Sequence, residues 1–237
     1  MPATIQKILK PTKYRAVDTS GNNNHGQIYS GRGLEFDGVS DYLDTNVTLS
    51  TAQPTKRSYL FWMKYETSLN NQLVFDDRET TNSRGHHFFI RESDAGSYGD
   101  VAEFRIKDDA DATTIIRSGD TALYMNTWVR VAYVWDGTVG THGTLYGYIN
   151  GQLVGSSALS NALATAINKD LFIGSNGSGT SNYTGMLSDF QVWDTALSAS
   201  DVTFDYLNPE SLALNNGGTS LTESNLKLWY PMQDGHR

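Results

Sequence analysis

The stretch GMLSDFQVWDTALSASDV, residues 185–202, decides the fold of this chain. In its first half the side chains alternate with a period of two, which is the period of a β-strand. Ser198 and Asp201 then have the spacing of a helix capping box, and Leu197 and Val202 have the spacing of a hydrophobic staple. The stretch therefore predicts a strand that ends in a turn and is followed by a short helix.

Composition limits the classes of protein that remain. A chain of 237 residues suits one large β-sandwich and is long enough to bury a core without disulfide or metal cross-links. It contains no cysteine, which excludes disulfide and thiol chemistry. Its 26 Asp and Glu outnumber 18 Lys and Arg, the net charge is −8, and no basic cluster is visible along the sequence. Nucleic acid is therefore not an expected partner, because its binders need a basic face.

Membrane insertion is not expected either. No apolar run in the sequence approaches the length that spans a bilayer. The N-terminal residues MPATIQKILKPTKYRA are partly basic but lack the apolar segment of a secretory signal peptide, so no signal peptide is predicted.

Most of the remaining sequence has the pattern of a β-sandwich. Short apolar runs recur between clusters of Gly, Asn, Asp and Ser, while helical periodicity is nearly absent. Asn150-Gly151 separates two of these runs and predicts a tight hairpin turn, since both residues tolerate a positive φ. The run at 128–135 is apolar on both sides except at Arg130, which predicts a central strand covered on both faces. The predicted strands span residues 33–37, 59–65, 72–76, 86–91, 101–107, 113–117, 128–135, 145–149, 152–155, 171–174 and 186–193, with a further candidate, LKLWYP, at 226–231.

Several segments, in the same order along the chain, resemble laminin G-like jelly-roll modules of the concanavalin A-like lectin/glucanase superfamily, of the kind found in bacteriophage virion proteins and bacterial adhesins. Besides 185–202, the matching segments are DTSGNNNHG at 18–26, GLEFDGVSDYL at 33–43, NTWVRVAYVWDG at 126–137, YINGQLVG at 148–155 and LFIGSNGSG at 171–179. The resemblance covers about residues 14–207. It implies an all-β, concanavalin A-like jelly-roll sandwich of two antiparallel sheets with one short helix near 198–207.

The resemblance also implies how the chain is divided. Residues 1–207 are predicted to form the laminin G-like domain. Residues 208–237 are predicted to form a linker and a C-terminal strand that either closes the sandwich or begins a further module. In many such modules a Trp-Tyr-Pro strand precedes the first matching segment, whereas here LWYPMQDG lies at 228–235. The expected localisation is extracellular or virion-associated.

The function that the resemblance implies is non-catalytic recognition of a glycan or a cell-surface receptor. The alternative is a structural component of a phage particle, such as a decoration, fibre or tail protein, that contacts other virion or adhesin subunits or forms a homo-oligomer. A glycoside hydrolase is the third reading, because glucanases of the superfamily carry catalytic carboxylates in an E-x-D-x-x-E strand motif. Here Glu35-Phe36-Asp37 is not followed by a second Glu, so no enzyme is expected.

Candidate ligand-binding residues come from predicted exposed loops, since loops on rigid sandwiches carry function. Sugar sites combine aromatic rings with amide and charged groups, and the loop residues of these types are Asp77, Arg78, Tyr98, Tyr124, Asn176 and Tyr183. Loops also contain Asn and Asp for conformational reasons, which leaves a purely structural role open. Adjacent His86 and His87 lie on a predicted strand and should point to opposite faces, with one of them at the surface.

A structural calcium ion is the expected cofactor, because jelly rolls of this superfamily often carry one that ties terminal segments to the sandwich. Calcium prefers six to eight oxygen ligands. The acidic positions that match are Asp18, Asp41 and Asp189. Asp189 stands out, since an uncompensated carboxylate among hydrophobic strand residues is costly. The alternatives are that Asp18 and Asp37 serve as turn residues whose side chains bond nearby backbone amides, and that Asp189 accepts from a loop amide or pairs with an arginine.

Overall fold

The computed structural model describes residues 33–50, 55–67, 71–78, 84–91, 100–119, 123, 125–163, 167–176, 179–209, 212–213, 219 and 221–232. The strands are β1 (Leu34–Asp37), β2 (Leu43–Ser50), β3 (Lys56–Tyr65), β4 (Gln72–Asp76), β5 (Gly85–Arg91), β6 (Val101–Lys107), β7 (Thr113–Arg117), β8 (Val129–Asp136), β9 (Thr144–Ile149), β10 (Gln152–Ala158), β11 (Ile167–Ile173), β12 (Thr184–Trp193) and β13 (Leu226–Tyr230). The helix α1 spans Ala199–Leu207, and a 3-10 turn at Glu223–Asn225 precedes β13.

The strands form two antiparallel sheets. The seven-stranded sheet has the order β1-β12-β3-β8-β9-β10, and β13 also pairs with β12. The six-stranded sheet has the order β2-β11-β4-β5-β6-β7. This arrangement confirms the predicted all-β sandwich of two antiparallel sheets with one short helix after the strand that ends at Trp193.

Aromatic side chains from both sheets fill the space between them. Phe61 of β3 and Phe190 of β12 stack with their ring centroids 5.4 Å apart. Phe75 of β4 meets both rings edge-on from the opposite sheet, at 6.0 Å from each. Such aromatic pairs stabilise the sandwich beyond the effect of burial alone, and they fix how the two sheets face each other.

Helix α1 covers the outer side of the seven-stranded sheet. Val134 of β8, Trp193 of β12 and Val202 of α1 belong to one buried apolar cluster, separate from the core between the sheets. Strand β8 is therefore covered on both faces, as predicted, and the helix supplies the second cover. The predicted capping box is confirmed: the Asp201 amide donates to the Ser198 side chain, and the Ser198 amide donates to the Asp201 carboxylate.

Of two local features, a hairpin turn was predicted from the sequence and an edge strand was not. Asn150 and Gly151 have φ values of 51° and 77°, which confirms the predicted hairpin turn between β9 and β10. Strand β2, with the sequence LDTNVTLS, was not predicted because most of its residues are polar. Among the described strands it pairs with β11 alone and lies at an edge of the six-stranded sheet.

The C-terminal strand belongs to the same sandwich. Residues Leu226–Tyr230 pair with β12, and the Trp229 indole donates to Asp189 Oδ1 at 2.7 Å. The division of the chain after residue 207 stays a prediction. Within the described ranges, no helix is long and apolar enough to cross a bilayer.

Candidate functional site

One side of the six-stranded sheet carries charged and aromatic side chains in register. Residues directly opposite each other on antiparallel strands point to the same side. A first row, read from β2 to β7, consists of Asp44, Phe172, Asp76, His87, Arg105 and Ile115. A second row on β5, β6 and β7 consists of Phe89, Glu103 and Arg117. The alternate residues Phe88, Phe104 and Ile106 point into the core, so we call the side that carries the two rows the outer face.

Three guanidinium groups surround one carboxylate on the outer face. Glu103 is contacted by Arg105, by Arg117 at 2.6 Å and by Arg91 at 3.6 Å. The Glu103 side chain is 1% exposed, whereas those of Arg105, Arg91 and Arg117 are 18%, 22% and 57% exposed. We call these four residues the arginine cluster. Its carboxylate lies at the bottom and its cations reach solvent.

A buried aromatic layer lies beside the arginine cluster. The Arg105 guanidinium lies 4.7 Å from the centroid of the Phe89 ring, and His87 meets the same ring edge-on at 5.4 Å. Burial and the charges of Arg78 and Arg105 lower the pKa of His87 well below its usual value. The imidazole is therefore neutral at neutral pH. The expectation that one of the two adjacent histidines lies at the surface is wrong, because both are buried under neighbouring side chains.

Arg78, a predicted ligand-binding residue, lies on the same outer face but is buried, so the prediction that it is exposed is wrong. Its guanidinium donates to both oxygens of Asp76, at 2.8 and 3.0 Å, and lies 5.9 Å from the Phe89 centroid. Burial raises the pKa of Asp76, and the hydrogen bonds from Arg78 oppose this shift. Arg78 therefore extends the layer of guanidinium groups across Phe89.

Comparison with known proteins identifies the superfamily to which this architecture belongs. The profile of the concanavalin A-like lectin/glucanases superfamily matches residues 37–203, which is more than half of the chain. The chain belongs to this superfamily. A search of curated proteins finds no matching sequence.

Solved structures show the superfamily fold at low sequence identity. A heptameric pentraxin from Limulus polyphemus has a TM-score of 0.58 at 18% identity, with 73% of this chain and 80% of the pentraxin covered. A Bacteroides ovatus protein to which carbohydrate binding has been ascribed has a TM-score of 0.60 at 18% identity, with 92% and 58% covered. The ligand-binding domain of botulinum neurotoxin serotype D, in complex with N-acetylneuraminic acid, has a TM-score of 0.57 at 18% identity, with 88% and 47% covered. The chain thus spans about half the length of the last two structures.

Asp77 of this superfamily member lies inside the sandwich, not in an exposed loop. The Tyr59 hydroxyl donates to Asp77 Oδ2 at 2.5 Å, and the His86 amide donates to Oδ1. His86 in turn shares a hydrogen bond of 2.9 Å with the Tyr133 hydroxyl. Burial raises the pKa of Asp77 and lowers that of His86. Asp77 therefore belongs to an interior polar network, and the prediction that it is exposed is wrong.

Asn176 and Tyr183 are also buried, which corrects the expectation that they are exposed. Asn176 closes a loop, because its side chain bonds the Thr180 hydroxyl at 2.7 Å. Tyr183 packs edge-on against Phe36 in the core, with its hydroxyl donating to the Met186 carbonyl. The predicted ligand residues Tyr98 and Tyr124 lie outside the described residues. The fold therefore does not bring Asp77, Arg78, Asn176 and Tyr183 together into one site.

Asp189, a predicted calcium ligand, has its carboxylate engaged by protein donors. Arg130 Nη2 lies 3.0 Å from its Oδ2, Gln191 Nε2 lies within 3.0 Å of both oxygens, and Trp229 donates to Oδ1. An arginine at this distance already supplies the positive charge that a cation would bring. Asp189 thus does not fit a calcium ligand, and the arrangement matches the predicted alternative of a pair with arginine.

Asp41 fits a cation better. It is buried, and no donor among the described residues lies within hydrogen-bond distance of its Oδ1. Its Oδ2 accepts the Asp37 amide at 3.2 Å. Within the described ranges, no three carboxylate or imidazole side chains gather closely enough to hold a metal ion. The third predicted ligand, Asp18, lies outside those ranges, so calcium at Asp41 stays a prediction.

The short Glu35-Phe36-Asp37 motif forms a strand end and a turn. Phe36 is buried in the core and Glu35 is partly exposed. Asp37 Oδ1 accepts the amides of the three residues 39–41. Those bonds lower the pKa of Asp37 to about 2. An Asp with this pKa is ionised at neutral pH and cannot act there as a general acid.

Sequence analysis did not identify the arginine cluster. The signal was present in part, because Glu103, Arg105 and Lys107 alternate in VAEFRIK, while HHFFIR and TTIIR each end in an arginine. These three strands are consecutive and antiparallel, so their alternate residues share one face. Finding the cluster also requires the register between the strands, which alternation alone does not give.

Proposed function

We propose that this superfamily member is a non-catalytic recognition module that binds glycan, free or on a cell-surface receptor, through the outer face. The observation that carries the proposal is the register of aromatic and planar polar side chains across the six-stranded sheet. Sites for small polar ligands combine apolar surface with a few polar groups held in fixed positions. The outer face has both, and α1 packs on the other sheet.

A pair of aromatic rings, one exposed and one partly buried, provides the apolar part. Tyr42 is 43% exposed, and its ring centroid lies 6.0 Å from that of Phe172. The Lys169 ammonium lies 5.0 Å from the Phe172 centroid. Asp170, two residues before Phe172 on β11, accepts a hydrogen bond of 2.6 Å from the Thr48 hydroxyl. This combination of ring, ammonium and carboxylate suits a sugar, which has one apolar face and hydroxyls at its edge.

The known structures support the same class of function. One neighbour is a toxin domain in complex with N-acetylneuraminic acid, and another is a protein to which carbohydrate binding has been ascribed. Both share the fold of this chain at 18% identity. The ligand itself does not transfer at this identity, so the choice of sugar needs a direct measurement.

A glycan array with the parent protein and two variants tests the proposal. We expect Tyr42→Ala to weaken binding by about twofold to thirteenfold, the effect of losing about 0.5–1.5 kcal/mol of aromatic contact. Leu153→Ala is the matched control, because Leu153 is an exposed apolar residue on β10 of the other sheet. It should leave binding unchanged.

Two results would contradict the proposal. A parent protein that binds no glycan but forms a discrete oligomer in light scattering would favour the structural role in a particle. Release of reducing sugar from a bound glycan, abolished by Glu35→Gln, would establish a glycoside hydrolase. In the proposed module, bound glycan stays intact during prolonged incubation.

A further inference from the structure

We infer that a divalent cation bound by Asp41, Ser175 and Asn182 positions Tyr42, and that glycan binding therefore depends on the cation. This inference rests on the proposed function and adds how the same site is regulated. It concerns two segments: the turn at residues 37–42, between β1 and β2, and the connection between β11 and β12, of which the structure describes residues 174–176 and 179–183.

The turn and the connection contact each other. Asn182 Nδ2 donates to the Val39 carbonyl at 2.5 Å. Gly174 has a φ of +86°, and a Cβ at this position would lie 3.4 Å from the carbonyl oxygen of Asp41. Strands β2 and β11, which follow the turn and precede the connection, are paired. The two segments therefore flank one region beside these strands.

Three buried oxygen atoms of the two segments lack a hydrogen-bond partner. They are Asp41 Oδ1, Ser175 Oγ and Asn182 Oδ1; each exposes less than 1 Å², and none has a partner among the described residues. Two carbonyls orient the Asn182 amide, since its Nδ2 donates to Val39 and, at 3.3 Å, to Gly179. Its oxygen is therefore the atom that is left without a partner. Buried polar atoms are rarely unpaired, so three of them on two contacting segments indicate a bound ligand.

The charge of the turn indicates that this ligand is a cation. Asp41 is 6% exposed, and Asp37, with a pKa of about 2, is ionised at neutral pH. Their oxygens accept hydrogen bonds from backbone amides of the turn itself. Neither carboxylate forms an ion pair with a lysine or arginine that the structure describes. A buried carboxylate without a counter-charge is costly, and a cation at Asp41 Oδ1 supplies that charge.

The three oxygens fit a divalent cation better than a water molecule. Calcium lies about 2.3–2.6 Å from its oxygen ligands, whereas a water molecule that donates a hydrogen bond lies at about 2.7–2.8 Å. The oxygens are shielded from solvent, which favours the group that approaches more closely. Carboxylate and amide oxygens are also ligands that calcium prefers. A site with one carboxylate agrees with the finding that no three carboxylate or imidazole side chains cluster within the described ranges.

The cation would hold one ring of the proposed glycan site in position. Tyr42 directly follows Asp41, and Phe172, whose ring centroid lies 6.0 Å from that of Tyr42, comes shortly before Ser175 on the same strand and connection. A cation shared by Asp41 and Ser175 joins the two segments that carry these rings. Without it, the Asp41 carboxylate gains hydration only if the turn moves, and Tyr42 moves with the turn. The two rings then lose the arrangement that contacts a sugar.

The test combines calorimetry with a glycan array. Calcium chloride is titrated into the metal-free parent, Asp41→Asn, Asn182→Ala and Asp109→Asn, and each protein is then applied to the array in calcium and in EDTA. Asp109→Asn is the matched control, because it neutralises a half-exposed carboxylate in the connection between β6 and β7. A thermal melt in EDTA checks that each variant is folded.

The parent should bind calcium, and its array signal should fall by about tenfold or more in EDTA and return when calcium is restored. Asp41→Asn and Asn182→Ala should bind calcium about tenfold or more weakly, and their array signal in calcium should be close to that of the parent in EDTA. Asp109→Asn should match the parent in both measurements.

Three results would contradict the inference, and they are distinguishable. Equal array signals of the parent in calcium and in EDTA would overturn the inference and leave the proposed function standing. A parent that binds no glycan in either buffer would overturn the proposed function and this inference with it, and calorimetry would report separately on the cation site. Calcium bound by Asp41→Asn or Asn182→Ala as tightly as by the parent would overturn the assignment of the ligands.

Discussion

Two ionic clusters on opposite sides of the sandwich differ in charge balance and exposure. Under α1, Arg130 Nε donates to Asp205 at 2.6 Å and Nη2 contacts Asp189 at 3.0 Å, with all three side chains at most 1% exposed. On the six-stranded sheet, one buried carboxylate meets three guanidiniums that reach solvent. The first cluster surrounds one cation with two carboxylates, whereas the second surrounds one carboxylate with three cations.

The difference predicts that the two clusters contribute unequally to stability. The cluster under α1 joins β8, β12 and the helix, and Trp229 of β13 donates to it as well. Its charged groups pair with one another and are buried, so none of them is available to a ligand. In the arginine cluster the Arg117 side chain is more than half exposed, and exposed ion pairs contribute little to stability. Stability should thus depend more on the first cluster than on the second.

Removing Asp205 should have the largest effect on stability. Asp205→Ala removes one of the two carboxylates that compensate buried Arg130, and such losses cost about 3–5 kcal/mol. Urea denaturation measures the change in the free energy of unfolding. The control is Asp109→Asn, which removes a half-exposed pair with Arg84 and should change stability by less than about 0.5 kcal/mol. Equal losses in the two variants would show that the buried cluster is not structural.

Thermal melts in calcium and in EDTA test whether the cluster of Arg130, Asp189 and Asp205 under α1 binds a metal ion. We propose that calcium binds at Asp41, so a hundredfold excess over Kd should stabilise the parent by about 2.7 kcal/mol. The difference between melts in calcium and in EDTA should vanish in Asp41→Asn and persist in Asp189→Asn. The reverse pattern would assign the metal to Asp189 and break the comparison. Identical melts of the parent in calcium and EDTA would contradict the calcium prediction itself.

Acidification should destabilise the protein through its two buried histidines. Burial holds the pKa of His86 and His87 below the ordinary 6.5, so below that pH the unfolded chain binds protons that the folded chain does not. The stability they contribute is fully present above pH 6.5 and is lost as the pH falls, by about 1.4 kcal/mol per pH unit for each histidine. Asp76 and Asp77, whose pKa is raised by burial, act in the opposite direction.

The variant His87→Gln separates the contribution of His87 to the pH dependence of stability from those of the other buried groups. In His87→Gln one of the two imidazoles is absent, so unfolding free energies measured from pH 7 to 5 should fall less steeply than in the parent. Parallel curves for the two proteins would show that His87 binds protons equally in the folded and unfolded states. The outer-face histidine would then not be buried as the structure places it.

The smallest expected effect is that of Arg117→Gln on stability. The Arg117 side chain is more than half exposed, and exposed ion pairs contribute about 0–1 kcal/mol. Urea denaturation should therefore give nearly the parent value for this variant. A loss comparable with that of Asp205→Ala would mean that the arginine cluster, too, is mainly structural.

Most strands could be predicted from the sequence, because side-chain alternation is a local property. Strands β4, β6 and β7 begin and end where the alternation predicted, and the Ser198 capping box is present. Strand β2 was missed since an edge strand with polar residues has the composition of a loop. The candidate ligand residues were chosen as polar residues in loops, and this rule selected Asp77 and Asn176, which the fold buries.

The sequence by itself determined the fold class, the helix start and the hairpin at Asn150-Gly151, because each depends on residues close together in the chain. The tertiary structure alone decided which charges are compensated. Arg130 and Asp205 are 75 positions apart, and Arg117 meets Glu103 from 14 positions away only through the register of β6 and β7. Sheet register and helix docking set these distances, and whether a charge is structural or available to a ligand depends on distance and burial.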